Sequence, residues 1–122
     1  MNPARVLQIS AILGFLAVLL GAFGAHALHD QLVANERLET WETAVFYHFV
    51  HTLVLLWLSN KSPVPKWPVI LFLAGIGIFS GSLYVLCLTQ ISKLGAITPL
   101  GGLALMGGWL SLLVTTKQPK TS

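Results

Sequence analysis

Four apolar runs follow one another along the chain: Val6 to Ala27, about Trp41 to Leu58, Trp67 to Leu88, and about Ala96 to Thr115. Each is close to the ~20 residues that a helix needs to cross the hydrocarbon core of a bilayer. The links between them are short, and backbone polar groups in lipid must pair within their own segment. An all-α, four-helix up-down bundle is therefore predicted, with residues 1–122 forming a single transmembrane domain. Polar segments punctuate the runs. "NERLETWETAVFYHFVH" reads as helical from its start, with Asn35 as cap and Glu36 and Glu39 in the positive first turn. It predicts a short amphipathic lead at the outer interface that runs into the second span, with Trp41 in the aromatic belt. "SNKSPVPKWP" is a loop, because Pro63, Pro65 and Pro68 do not continue a helix. Pro99, among Gly95, Gly101 and Gly102, marks the start of the fourth helix. The tail KQPKTS is polar and expected to fray.

Composition makes lipid the solvent. Of 122 residues 55% are hydrophobic and 9% charged, against about 25% charged in a soluble domain, and the mean hydropathy is +0.78. A chain this short has no soluble core large enough to hide so much apolar surface. The net charge of +3 carries no basic stripe, which excludes a nucleic-acid partner. The single cysteine, Cys87, excludes an internal disulfide. Arg5, the first apolar run and Ala25-His26-Ala27 resemble a signal peptide. That run of ~20 residues is too long for the 7–15 of a cleaved apolar core, so a retained first helix is expected. With four spans, Arg5, Lys61, Lys66, Lys117 and Lys120 share one side and Arg37 and Lys93 the other, which predicts cytoplasmic N- and C-termini. The four acids (Asp30, Glu36, Glu39 and Glu42) gather in or beside the first external loop.

The candidate chemistry lies in the histidines. His26 pairs with His29, and His48 with His51, each at i, i+3 on one helix face. His51 lies on the order of 15 Å below Trp41 by helical rise. His29 reads as solvated. Ionisable groups inside a membrane are costly and face the protein interior, so His48 and His51 should point toward helix one or the GSLY face of helix three. The candidate binding cluster is His26, Glu42, Tyr47, His48, His51, Ser82 and Tyr84. Neutral imidazoles suit zinc, copper, nickel or iron, and His26 with His51 are the candidate ligands for a metal or a haem. No spacing such as H-E-x-x-H completes a metal site. A structural polar cluster, a small-molecule or lipid pocket, a metal or haem centre and a proton relay all remain open. Ser80 and Ser82 lack a base and oxyanion donors, and serines in membrane helices mostly bond their own backbone, so no enzyme is expected. Small residues mark close packing: Gly21 and Gly24 in span one, the Gly77-x-x-x-Gly81 pair in span three, and Gly101 in span four.

"GAFGAHAL", "TAVFYHFVH", "FSGSLYVLCL" and "LGAITPLGG" stand in that order along the chain. In these motifs it resembles the small membrane proteins called domain of unknown function 423, and is similar to animal transmembrane protein 256. The likeness runs from about Val6 to Leu113. Carried over by position, the family pattern falls on Gly21, Gly24, His26, Thr43, Ala44, Tyr47, His51, Gly81, Ser82, Tyr84, Thr98, Pro99, Leu100 and Gly101. His48 departs from it, since glutamine often stands there, which leaves His26 with His51 as the core pair. The resemblance implies a four-span protein of the bacterial inner membrane and brings no activity with it. The expectation is a non-enzymatic binding or accessory protein, or a small subunit of a larger membrane complex, with a polar cluster near the outer leaflet. A histidine-dependent metal or haem protein, or a small transporter acting as an oligomer, are the alternatives. The expected partners are the lipid bilayer and either further copies or a larger membrane complex.

Overall fold

A computed structural model describes residues 1–115; the tail with Lys117 and Lys120 lies outside the described residues. Among the described residues every regular element is helical. Helix α1 spans Pro3–Ala25. Pro3 opens it, and the Asn2 side chain accepts the Ala4 N–H at 2.8 Å. A short helix α2, His29–Ala34, follows, then α3, Leu38–Leu58. A long rod comes next: α4 (Lys66–Gly75), a π-helical turn (Ile76–Ser80) and α5 (Gly81–Thr89). A 3₁₀ segment, Ser92–Ala96, leads into α6, Thr98–Thr115.

Three helical stretches are long and apolar enough to cross a membrane: Pro3–Ala25, Lys66–Thr89 and Ser92–Thr115. Helix α3 is not in this group, because Glu39, Glu42, His48 and His51 dilute its apolar character. It is nevertheless the central element. It packs against α1, α4, the π turn and α5, while α6 packs against α4 and the π turn. Glycines fix the antiparallel register of α1 on α3, with Gly14 facing Thr52, Gly21 facing Val45 and Gly24 against Trp41.

The lead into α3 differs from expectation. Asn35 ends α2 instead of capping α3, and Glu36 takes a left-handed conformation, φ 56°. That residue breaks the continuous helix read from "NERLETWETAV", and Arg37 occupies the cap position. Helix α2 folds back so that Leu32 joins Trp41 and Cys87 in one apolar cluster. A second cluster at the opposite end gathers Val6, Leu55, Leu58, Val69, Phe72 and Leu105. His48, His51, Thr52 and Ser80 lie buried between the two.

The π turn changes how the rod packs. One extra residue in a turn rotates everything after it by about 100° relative to a regular helix. The α4 half packs on α6, and the α5 half on α3. Gly77 and Gly81 have nothing within 4 Å of an added Cβ, so the expected close crossing at this GxxxG does not occur. The close approach comes instead from Gly75 against Leu105, Gly108 against Phe72, and Gly101 against the backbone of Ile78 and Phe79. Ser80 lies in the wide turn and donates its hydroxyl to the Ala44 carbonyl of α3 at 2.8 Å, and not to its own helix.

Candidate functional site

His51 is held from two sides. The Trp109 indole N–H of α6 donates to its Nε2 at 3.0 Å, so that nitrogen carries no proton. Nδ1 then carries the proton and donates to the Tyr47 carbonyl at 2.7 Å. The rings of Phe72 and Trp109 pack against it at 5.7 and 5.8 Å. Both nitrogens are committed, and no lone pair is left for a metal.

His48, 3% exposed, faces α5 instead. Its Nδ1 lies 2.8 Å from the Tyr84 hydroxyl, and its buried Nε2 has no hydrogen-bond partner among the described residues. The Tyr84 ring stands edge-on to Trp41, with centroids 5.0 Å apart. Ser82 donates to the Phe79 carbonyl at 3.0 Å and lies 2.6 Å from the Thr98 hydroxyl, which ties α5 to the start of α6. The Tyr47 side chain is half-exposed and packs on Phe79, with centroids 4.5 Å apart.

The expected cluster is thus three separate ties: His48 with Tyr84, His51 with Trp109, and Ser82 with Thr98. His26 and Glu42 belong to none of them. His26 is exposed at the end of α1, near the level of Trp41. His51 lies ten residues further along α3, about 15 Å by helical rise. Two imidazoles sharing one ion at ~2.1 Å must approach far more closely. His26 and His51 therefore cannot form the expected metal or haem pair. Among the described residues no group of three or more His, Cys, Asp or Glu gathers to hold a metal. His29, expected to be solvated, is part-buried, with Nδ1 3.3 Å from the Gly24 carbonyl. Trp109 was not legible as a partner for His51, since nothing in an apolar run shows which indole meets which imidazole.

Glu42 marks a different place. A groove of about 470 Å³ runs along the outer side of α1 and α3. Ala17, Gly21 and Ala25 give α1 a stripe with almost no side chains, at i, i+4 and i+8. Val45, Phe46 and Phe49 of α3 form the facing wall. Glu42 is the charged residue in its lining.

Residues 20–102 match a protein family described as protein of unknown function DUF423. The chain is 45% identical to UPF0382 membrane protein YwdK of Bacillus subtilis, over 87% of this chain and 90% of that protein. It is 42% identical to UPF0382 membrane protein SH2409 of Staphylococcus haemolyticus, over 90% of this chain and 96% of that protein. It is 35% identical to UPF0382 membrane protein C1782.12c of Schizosaccharomyces pombe, over 88% of this chain and 97% of that protein. The chain belongs to the DUF423 family. It is a membrane protein, with three helices able to span. No solved structure matches it.

In this DUF423 protein the matched segment begins at Leu20, whose carbonyl accepts the Trp41 indole N–H at 2.8 Å. It ends beside Gly101, where α6 crosses the π turn. It takes in His48, Tyr84, Ser82 and Thr98. Trp109, the partner of His51, lies beyond it.

Proposed function

We propose that this DUF423 protein is a non-catalytic binding protein of the bacterial inner membrane. It is a four-span up-down bundle with cytoplasmic termini, and it holds an apolar ligand from the bilayer in the α1–α3 groove. The groove carries the reading. It is built from the small residues Ala17, Gly21 and Ala25, and it opens on a face that shows Val18 and Phe46 to the surroundings. The side chains suited to chemistry are bound up elsewhere, with His51, Ser80 and Ser82 each in internal hydrogen bonds.

Helix α3 has 21 residues, which at 1.5 Å each is about 30 Å, the thickness of a hydrocarbon core. It turns Trp41, His48, His51 and Thr52 inward, so its polar groups do not oppose crossing. Arg5, Lys61 and Lys66 sit at one end of the bundle, and Arg37 and Lys93 at the other. Lys61 lies over the Trp57 ring and Lys66 over that of Trp67, at 4.1 and 5.6 Å from the centroids. Such pairs suit the cytoplasmic interface. An impermeant maleimide applied to whole cells is expected to label a cysteine placed at Ser92 and to spare one at Ser62. The reverse pattern would overturn the orientation.

The binding reading is tested by purifying the protein in mild detergent and extracting retained small molecules for mass spectrometry. Val18, 64% exposed on the groove wall, can be enlarged without disturbing the core. Val18→Trp and Gly21→Leu should each fill the groove and lower the retained apolar compound several-fold. Equal retention by the wild type and both folded variants would end the reading.

A further inference from the structure

We propose that the α1–α3 groove selects a bilayer amphiphile whose headgroup ends in an amine, with Glu42 as its counter-ion. This rests on the binding reading above. The remaining groove residues carry no charge, and those named on both walls are apolar or glycine. Glu42 is exposed, and its carboxylate has no hydrogen bond or ion pair among the described residues. No base forms an ion pair with it among the described residues: exposed His26 at the end of α1 makes none, and His29 Nδ1 lies 3.3 Å from the Gly24 carbonyl. Arg37 Nε donates to Gln90 Oε1 at 3.1 Å on the α5 side of α3, and Lys93 lies beyond α5. Asp30, Glu36 and Glu39 stand at the same end of the molecule, so a phosphate or carboxylate headgroup without a cation of its own would be repelled.

Length and shape agree with one alkyl chain. From Ala25 to Ala17 on α1, and from Glu42 to Val50 on α3, the walls each run nine residues, eight helical steps or about 12 Å. Glu42 lies at the end of this track nearest the aqueous interface, and the other end lies deeper in the apolar span. An ammonium at Glu42 would therefore leave its chain directed along the groove into the leaflet. Phe46 lies one turn from Glu42 on the same helix face, beside the headgroup position, where an aromatic ring also attracts a cation. Beside lipid, the attraction between carboxylate and ammonium is screened less than in water.

Native mass spectrometry from neutral micelles, with tetradecylammonium, tetradecanoate and tetradecanol as probes, tests the inference. The wild type is expected to bind the amine about fivefold more tightly than the alcohol, and the carboxylate least. Glu42→Gln should erase that preference and keep alcohol binding, while Val18→Trp should weaken all three. Equal binding of the three probes by wild type, or preference for the carboxylate, would overturn the headgroup inference and leave the groove intact. Binding of no probe, or binding that Val18→Trp does not change, would instead overturn the groove reading itself, as would a dimer that excludes every probe.

Discussion

Gly101→Ala is expected to cost the folded protein about 3 kcal/mol, at the upper end of what overpacking does. The added Cβ would meet the amide nitrogen and Cα of Phe79 and the carbonyl carbon of Ile78. These are backbone atoms in the π turn, so no rotamer change relieves the clash. Relief requires α6 to move off the rod. The same interface holds Gly108 against Phe72 and Leu105 against Gly75, so lifting α6 loosens all three contacts together. Gly101, Leu105 and Gly108 are also the buried residues of α6. Gly77→Ala is the control, since nothing lies within 4 Å of its added methyl. Unfolding in mixed micelles by sodium dodecyl sulfate, followed by circular dichroism, measures both. Equal midpoints for the two variants would show that α6 is not seated on the π turn.

Trp41→Ala should cost a similar amount, about 3 kcal/mol. Trp41 is 1% exposed and heads the largest fully buried side chains. Its indole bridges three elements, with the N–H on the Leu20 carbonyl of α1, the ring against Gly24, and an edge-on contact with Tyr84 of α5. In water such a truncation loses transfer energy as well as contacts. Here the unfolded chain also rests in lipid, so most of the loss is dispersion, cavity and hydrogen bond. Trp41→Phe separates these, because it keeps most of the ring contact and gives up the N–H bond, worth about 1 kcal/mol. The same titration should place Trp41→Phe between wild type and Trp41→Ala. Coincident midpoints for the two variants would assign the whole effect to the hydrogen bond.

The long helices were legible because lipid leaves an apolar run little choice but to pair its own backbone. Pro3–Ala25 and Lys66–Thr89 lie within three residues of their expected limits. The features that escaped depend on relations between segments. The π turn sits in "GIGIFSG", which reads as an ordinary apolar helix with a GxxxG. Its effect is to move close packing from Gly77 and Gly81 to Gly75, Gly101 and Gly108, a change of helix face that residue type alone does not encode. The break at Glu36 is similar, since glutamate favours helices, yet here it takes positive φ where α2 folds back so that Leu32 meets Trp41. At the site, the inward face of His48 and His51 followed from their cost in lipid. Their partners are a tyrosine 36 residues away and a tryptophan 58 residues away, set by how α5 and α6 dock.

The ends of the molecule differ in sign. Arg5, Lys61 and Lys66 lie at one, and Asp30, Glu36, Glu39 and Glu42 at the other, with Arg37 and Lys93 offsetting part of the acidity. An energised bacterial membrane is negative inside, and carrying one elementary charge across it is worth about 2.3 kcal/mol per 100 mV. In the proposed orientation the bases rest on the negative side and the excess acids on the positive side. Turning the molecule over would move both sets against the field at once. In that orientation the voltage that powers the cell would also hold the protein in place.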